Sequence, residues 1–425
     1  LSEAYVGEGR GRRDQLQRDD MTPDLTAVPA AHRAYPLALI LAALALGGFA
    51  IGTTEFASMS LLPYFAASLG VDAPTAGHAI SAYALGVVVG APVIAVAAAR
   101  LPRRIILVVL MAVFAVGNLL SALSPSFGWM LVFRFLSGLP HGAYFGVAAL
   151  VAASAAPPAR RAQAVAMVMI GLTVATIIGV PMANAVGQGF GWRWGFVIVA
   201  VLAALTSIAV YLFAPRAPAD AAASPLRELG ALAKGRVWLT LGIGAIGFGG
   251  MFCVYTYLAS TLIEVTHASP AVLPLVLAVF GAGMTVGTLV CAWAADRAQI
   301  PAIGGVLLWS AGALALYPMA VHSLWTLMPV VFLIGCGGGL GAVLQTRLMD
   351  VAGDAQTLAA ALNHSAFNFA NALGPWLGGM AIAAGYGWAS TGWVGVALAL
   401  GGFAIWLVTV IDVRIERRKA LAAAE

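Results

Sequence analysis

This sequence predicts an all-α membrane protein of twelve transmembrane helices arranged as two pseudo-symmetric six-helix bundles. Three observations carry that prediction. The 425-residue chain is 61% hydrophobic and 9% charged, with mean hydropathy +0.94, whereas an ordinary soluble domain is about 25% charged. No soluble fold of this length hides so much apolar surface, so the solvent is a bilayer. From Pro36 onward, apolar runs alternate with short polar breaks, and about 20 apolar residues cross a bilayer. Finally, the two halves of the chain repeat one another.

On the length criterion the spans fall at about 36–62, 77–99, 104–123, 128–153, 162–187, 194–214, 237–263, 271–295, 301–320, 324–349, 357–384 and 390–412. The longest break, PRAPADAAASPLRELGALAKGR (215–236), separates six spans from six. Residues 1–35, with GRGRR and QRDD and no apolar periodicity, are expected to be a disordered cytoplasmic tail. Met21 opens a leader of more usual form, so residues 1–20 read as an over-extension of the frame, and no cleaved signal peptide is expected. The expected organisation is therefore a bundle over 36–214, a cytoplasmic linker over 215–236, a bundle over 237–413 and a cytoplasmic tail over 414–425.

Orientation follows from lysine and arginine, which are retained on the cytoplasmic side. Arg33, Arg100, Arg103, Arg104, Arg160, Arg161, Arg227, Lys234, Arg236, Arg297, Arg347 and Arg414 lie in or beside alternate breaks or in the tails, while the opposite breaks hold Arg193 alone. Both termini are then cytoplasmic, which requires an even number of spans. This placement also accounts for the net charge of +5 without nucleic acid as a partner. The three cysteines, Cys253, Cys291 and Cys336, sit inside apolar runs without CxxC spacing and form no disulfide or zinc framework.

The repeat is visible in short motifs. Span 2 holds GVVVG (Gly86 to Gly90) with Arg100 ten residues on, and span 8 holds GMTVG (Gly283 to Gly287) with Arg297 ten residues on. Span 5 ends in GVPMANAVG before a GWRW turn, and span 11 has GPWLGG before GYGW. Internal repeats of this kind point to a transporter with its site between the halves, near the midplane.

At these residues the chain resembles the major facilitator superfamily over nearly all of 36–413. Within it, the chain is similar to the twelve-span drug:proton antiporter group, near bacterial sugar-, purine- and chloramphenicol-efflux permeases. ARLPRR (Ala99 to Arg104) resembles the loop signature G-x-x-x-D-R-x-G-R-R, with Ala99 for the acid and Pro102 for the glycine, while the repeat copy keeps Asp296 and Arg297. RFLSGLPHGAYFG from Arg134 is similar to the R-x-x-x-G signature of span 4, and GTTEF with LLP (Leu61 to Pro63) is similar to span 1 of the efflux relatives. GLTVATIIGVPMANAVG from Gly171 resembles the glycine-proline antiporter run, with Gly179 and Pro181 separated by Val180. The resemblance implies the major facilitator fold, a monomer in the bacterial inner membrane, and gating at Arg100, Arg103, Arg104, Asp296, Arg297, Gly179 and Pro181.

Of 22 Lys and Arg, only Arg134 lies well inside a span, and of 17 Asp and Glu only Glu55 does. An acid at that depth costs roughly 2.5–3.5 kcal/mol and marks a pathway or proton relay by default. At about 1.5 Å per residue, Glu55 lies roughly 28 Å along span 1 and Arg134 about 9 Å into span 4 from the other face. In a core about 30 Å thick both belong to the outer half, so the two are candidates to meet. A buried carboxyl holds its proton more tightly and a nearby cation loosens it, which suits proton coupling by Glu55 and Arg134. The bland readings are a purely structural pair or a Glu55 solvated near the interface.

Span 4 sets Arg134, Gly138, His141 and Phe145 on one helical face. For His141 two readings stand, a proton relay and a hydrogen-bonded packing residue. Span 11 repeats the pattern with His364, Asn368, Asn371 and Pro375, where amides gluing helices are the competing reading. The resemblance puts spans 1, 4, 7 and 10 around the cavity, and so favours Phe49, Thr54, Phe56, Tyr255 and Gln345 as lining; with Phe145 of the span 4 face and His364 and Asn368 of the span 11 stripe they make the expected substrate-binding set.

There is no P-loop, HExxH or GxSxG in the chain, so neither an enzyme nor an ATP-driven pump is expected. No cofactor or metal is expected, and the energy source is the proton gradient. The expected function is export of a small organic compound (drug, sugar or nucleoside-like) in exchange for protons, with the lipid bilayer, protons and that substrate as the partners. Proton-coupled uptake is the alternative within transport, and a transport-inactive scaffold or sensor is the alternative outside it.

Overall fold

In lipid every backbone N–H and C=O must find its partner within its own element, and the described residues from Leu37 on are accordingly mostly helix. The computed structural model describes residues 35–97, 101–157, 160–216, 229–352 and 356–422. The expected tail over 1–34, most of the 215–236 linker, the last residues of 414–425, and Arg100 lie outside the described residues.

The first half is built from α1 (Leu37–Ser60), α2 (Leu62–Leu69), α3 (Ala73–Ala97), α4 (Arg103–Ala122), α5 (Phe127–Ala155), α6 (Arg161–Val174), α7 (Val180–Phe190) and α8 (Arg193–Phe213). The second is built from α9 (Gly235–Gly247), α10 (Gly249–Glu264), α11 (Leu273–Ala320), α12 (Leu324–Cys336), α13 (Leu340–Ala352), α14 (Gln356–Ala381) and α15 (Ser390–Ala422). No strand occurs among the described residues. Ten helical segments there are long and apolar enough to cross a membrane. One of them, Pro270–Ala320, turns at Ala298 (φ −155°, ψ 77°) and supplies both the eighth and the ninth span. The remaining crossing is α14, whose Asn363, His364, Asn368 and Asn371 lower its hydropathy.

Several spans are interrupted where the sequence withholds a hydrogen-bond donor or a side chain. Span 5 is α6, a π turn over Ala175–Gly179, and α7, with Pro181 in the first turn of α7; proline has no N–H to give, and π turns mark such sites. Span 10 passes through the 3₁₀ turn Gly337–Gly339 between α12 and α13. Helix α15 runs past the expected end at 412 and carries Arg414 and Arg418 in helix to Ala422.

Packing makes the internal repeat physical. A Cβ on Gly86 or Gly90 of α3 would run into the Phe135 or Leu139 carbonyl of α5, and one on Gly138 into the Tyr83 carbonyl. In the second half, Gly283 and Gly287 of α11 meet the Phe332 and Cys336 carbonyls of α12, and Gly335 meets the Phe280 carbonyl. The two sets are related residue for residue by one constant offset in sequence. That same offset takes Glu55 to Phe252 and Arg134 to Val331, so the buried charges belong to one half only. Small residues let membrane helices approach to backbone contact, and overpacking costs about 1–3 kcal/mol even where a site can relax. Gly138→Val should therefore abolish a monodisperse peak on size exclusion after detergent extraction. Gly128→Val on the same helix, with open space around it, should leave that peak unchanged.

The halves meet along α3 and α14, where Ser81 Oγ donates to the Ala372 carbonyl (2.9 Å) and Ser365 Oγ to the Val88 carbonyl (3.5 Å). They meet again where Gln188 Nε2 of α7 donates to the Pro270 carbonyl (3.1 Å), and where Gly281 of α11 lies against the Thr176 backbone of the π turn.

Candidate functional site

Helix α1 brings the polar residues together. Glu55 is 6% exposed and Arg134 of α5 is fully buried; no other charged side chain is buried among the described residues. The two candidates to meet form no ion pair with each other. Arg134 instead donates from Nη1 to Thr54 Oγ1 (3.4 Å) and from Nη2 to Ser58 Oγ (3.2 Å). Its guanidinium lies 4.2 Å from the ring centre of Tyr83 and 5.4 Å from that of Phe196. The reason is angular. Thr54 and Ser58 share one face of α1 and meet α5, whereas Glu55, one residue on, is turned by about 100°. That turn carries it to the seam between the halves, where its Oε1 accepts from Asn371 Nδ2 of α14 (3.2 Å).

Thr54, expected to line the cavity, also donates to Asn118 Oδ1 of α4 (2.7 Å), and Asn118 Nδ2 donates to the Phe114 carbonyl (2.9 Å). Its hydroxyl thus ties α1 to α4 in the interior of the first half. Phe49 is half-buried, with its ring against Gly179 of the π turn. Gly179 permits that approach, since a Cβ there would strike Thr53 Oγ1.

Around the charged layer lie two aromatic groups that bridge the halves. In one, Tyr83 OH shares a hydrogen bond with His141 Nδ1 (3.0 Å), and Phe145 stacks on His364 with centroids 5.0 Å apart and planes 3° from parallel. The His141 and His364 rings are 6.0 Å apart, so the expected stripes on α5 and α14 do face each other. Asn368 Nδ2 donates to the His364 carbonyl (3.0 Å) while its Oδ1 is buried without a partner. In the other group, Phe56 meets Phe252 (6.1 Å) and Tyr255 (5.3 Å, 87°), and Tyr255 meets Phe280 at 4.4 Å. Gln345 Oε1 accepts from Asn363 Nδ2 within the second half.

Of the expected gating charges within the described residues, Arg104 and Arg297 bond to backbone carbonyls. Arg104 donates to the Tyr211 carbonyl and lies over that ring at 4.6 Å. Arg297 does the same to Trp293 of its own helix (3.0 Å to the carbonyl, 3.9 Å to the ring centre), and Asp296 is exposed. Arg103 opens α4. Among the described residues, Arg236 forms an ion pair with Asp412 (2.7 Å), between α9 and α15.

Sequence reasoning missed Tyr83, Ser58 and Asn118, and gave Asn371 no role. Asn118 carried a signal, an amide inside the apolar run 104–123. Tyr83 carried none, being one aromatic among many. Chemically the cluster offers a carboxylate that can take up a proton, a cation within electrostatic reach of it, and aromatic walls for planar or amphipathic compounds.

Comparisons with known proteins agree with the fold. The family model described as Major Facilitator Superfamily matches residues 44–297 and 240–425. The chain is 38% identical over 371 residues to the inner membrane transport protein YdhP of Escherichia coli (strain K12), covering 87% of this chain and 94% of that one. It is 36% identical over 351 residues to the chloramphenicol resistance protein of Streptomyces lividans, covering 80% and 88%. Among solved structures, a bacterial homolog of the human lysosomal transporter Spinster, in an inward-facing and unoccupied conformation, superposes with TM-score 0.61 over 89% of this chain and 95% of that one at 20% identity. That likeness supports the fold.

Proposed function

Because the chain belongs to the major facilitator superfamily, a family of membrane transporters and not of enzymes, we propose that it exports a small organic compound in exchange for protons by alternating access. The observation that carries this reading is Glu55: it is the buried acid of the described residues, and it reaches from the first half to an amide of the second. A carboxyl so placed changes the attraction between the halves whenever it gains or loses a proton. Arg134, held one face away on Thr54 and Ser58, supplies a fixed positive potential that keeps proton release within reach. His141, bonded to Tyr83, stands as the next acceptor along α5.

With both termini cytoplasmic, as the basic breaks imply, the Gln188–Pro270 end of the bundle is the outer one. The conformation described is then closed toward the outside. Substrate would occupy the aromatic groups formed by Phe56, Phe252 and Tyr255 and by Phe145 and His364. One acid and large rings favour neutral or weakly amphipathic compounds over polycations, with the protein acting as a monomer in the inner membrane.

Everted membrane vesicles test direction and coupling together. In vesicles with an acid lumen, adding chloramphenicol, a simple sugar or a nucleoside should alkalinise the lumen for whichever compound is carried. Acidification of the lumen by the carried compound would instead mean uptake by symport, and radiolabel flux without any proton movement would remove the coupling altogether.

A further inference from the structure

Asn371 holds Glu55 with its Nδ2, and its other polar atom is left over. Asn371 is fully buried, and its Oδ1 has no hydrogen-bond partner. A buried acceptor without a donor costs on the order of 1–3 kcal/mol, so such atoms call for a missing partner. Its neighbours give their recorded bonds elsewhere: Ser81 Oγ of α3 donates to the adjacent Ala372 carbonyl, and Asn368 Nδ2 donates to the His364 carbonyl. The charged and titratable groups beside this face are Arg134 on α5, bonded to Thr54 and Ser58 of α1, and Tyr83 on α3, whose ring centre lies 4.2 Å from that guanidinium. Arg134 turns Nη1 and Nη2 to Thr54 and Ser58 while its Nε has no partner, and Tyr83 OH is bonded to His141. On α10, Tyr255 packs on Phe56 and Phe280. Oδ1 belongs to the same amide whose Nδ2 already meets Glu55 Oε1, so the donor set beside it is the carboxyl of Glu55 itself, once it carries a proton.

We propose that Asn371 is a positioning residue that reads the protonation of Glu55. With Glu55 ionised, one bond runs from Nδ2 to Oε1 and Oδ1 stays orphaned. When one proton from water adds to the carboxylate, its new O–H donates to Oδ1, and acid and amide close a ring of two hydrogen bonds across the seam. No other group changes charge. The proton thereby fastens α1 to α14 in the outward-closed conformation, and its loss leaves one bond, an orphan and a buried anion. The proposal rests on Glu55 being the proton site.

The test uses the full chain in lipid nanodiscs with spin labels at Gly189→Cys and Ala271→Cys, both exposed positions near the Gln188–Pro270 contact. In wild type the short-distance population should grow as pH falls. Glu55→Gln, whose amide can make both bonds to Asn371, should hold the short distance from mildly acid to mildly alkaline pH. Adding Asn371→Leu to Glu55→Gln should lower the closed-to-open ratio about tenfold, the worth of one to two neutral hydrogen bonds. A double variant as closed as Glu55→Gln alone would overturn the role of Asn371. A wild type without pH dependence would overturn the proton site itself, so the two failures are told apart. Infrared difference spectra give a second measurement in case the double variant does not fold. The carboxyl C=O band of protonated Glu55, identified by its loss in Glu55→Gln, should move to higher frequency in Asn371→Ser, and an unmoved band counts against the pair.

Discussion

Glu55→Gln should abolish uphill, proton-driven efflux while leaving a folded protein that binds substrate within a few-fold of wild type. Glutamine matches the shape of the carboxylate and its carbonyl oxygen can accept from Asn371 Nδ2 as Oε1 does. Folding does not depend on the charge, because Glu55 has no ion-pair partner to lose. Removing a lone buried anion relieves a desolvation penalty, so the melting temperature should hold or rise. What disappears is the differential affinity of the two facing states for a proton, and without it a pH gradient has nothing to push against. The measurement is substrate efflux from proteoliposomes under an imposed pH gradient, beside equilibrium binding in detergent. Gradient-driven efflux that survives in the variant would remove Glu55 from the mechanism. Loss of binding along with flux would move it from the proton path to the substrate site.

Much of the fold was legible because lipid enforces a simple grammar. Span lengths, the basic breaks, and the glycines at Gly86, Gly90, Gly283 and Gly287 each report one physical requirement, and the backbone contacts at these glycines repeat that regularity. Depth was legible too. Counting rises along span 1 and span 4 put Glu55 and Arg134 in one layer, and Arg134 does reach the residues on either side of Glu55. Azimuth was not. A step from Thr54 to Glu55 turns about 100° around the helix, enough to exchange the arginine for an asparagine 316 positions away. A single sequence carries no sign of which distant helix will fill that angle. Azimuth also decides the contacts of the basic breaks: Arg104 meets the carbonyl and ring of Tyr211 on another helix, whereas Arg297 meets those of Trp293 one turn back on its own.

Arg134→Lys and Arg134→Met should separate what the buried cation does for folding from what it does for transport. The guanidinium bridges Thr54 and Ser58 while lying over the Tyr83 ring, and an ammonium on a flexible stem cannot do both. Lysine keeps the charge in a layer where a cation costs roughly 2.5–3.5 kcal/mol, while losing the planar stack that offsets part of it. Methionine fills similar volume without the charge and orphans neither hydroxyl, since Thr54 already donates to Asn118 and Ser58 to the Glu55 carbonyl. Thermal unfolding in detergent should therefore rank methionine at or above wild type and lysine below both. Transport should rank the other way for methionine: without the cation the Glu55 proton is harder to release, so flux at neutral pH should fall at least tenfold and recover partly at alkaline pH. Lysine should keep a measurable fraction of wild-type flux at neutral pH. If methionine instead unfolds the protein as readily as lysine, Arg134 is a packing residue of the first half, and its electrostatic role toward Glu55 falls with that result.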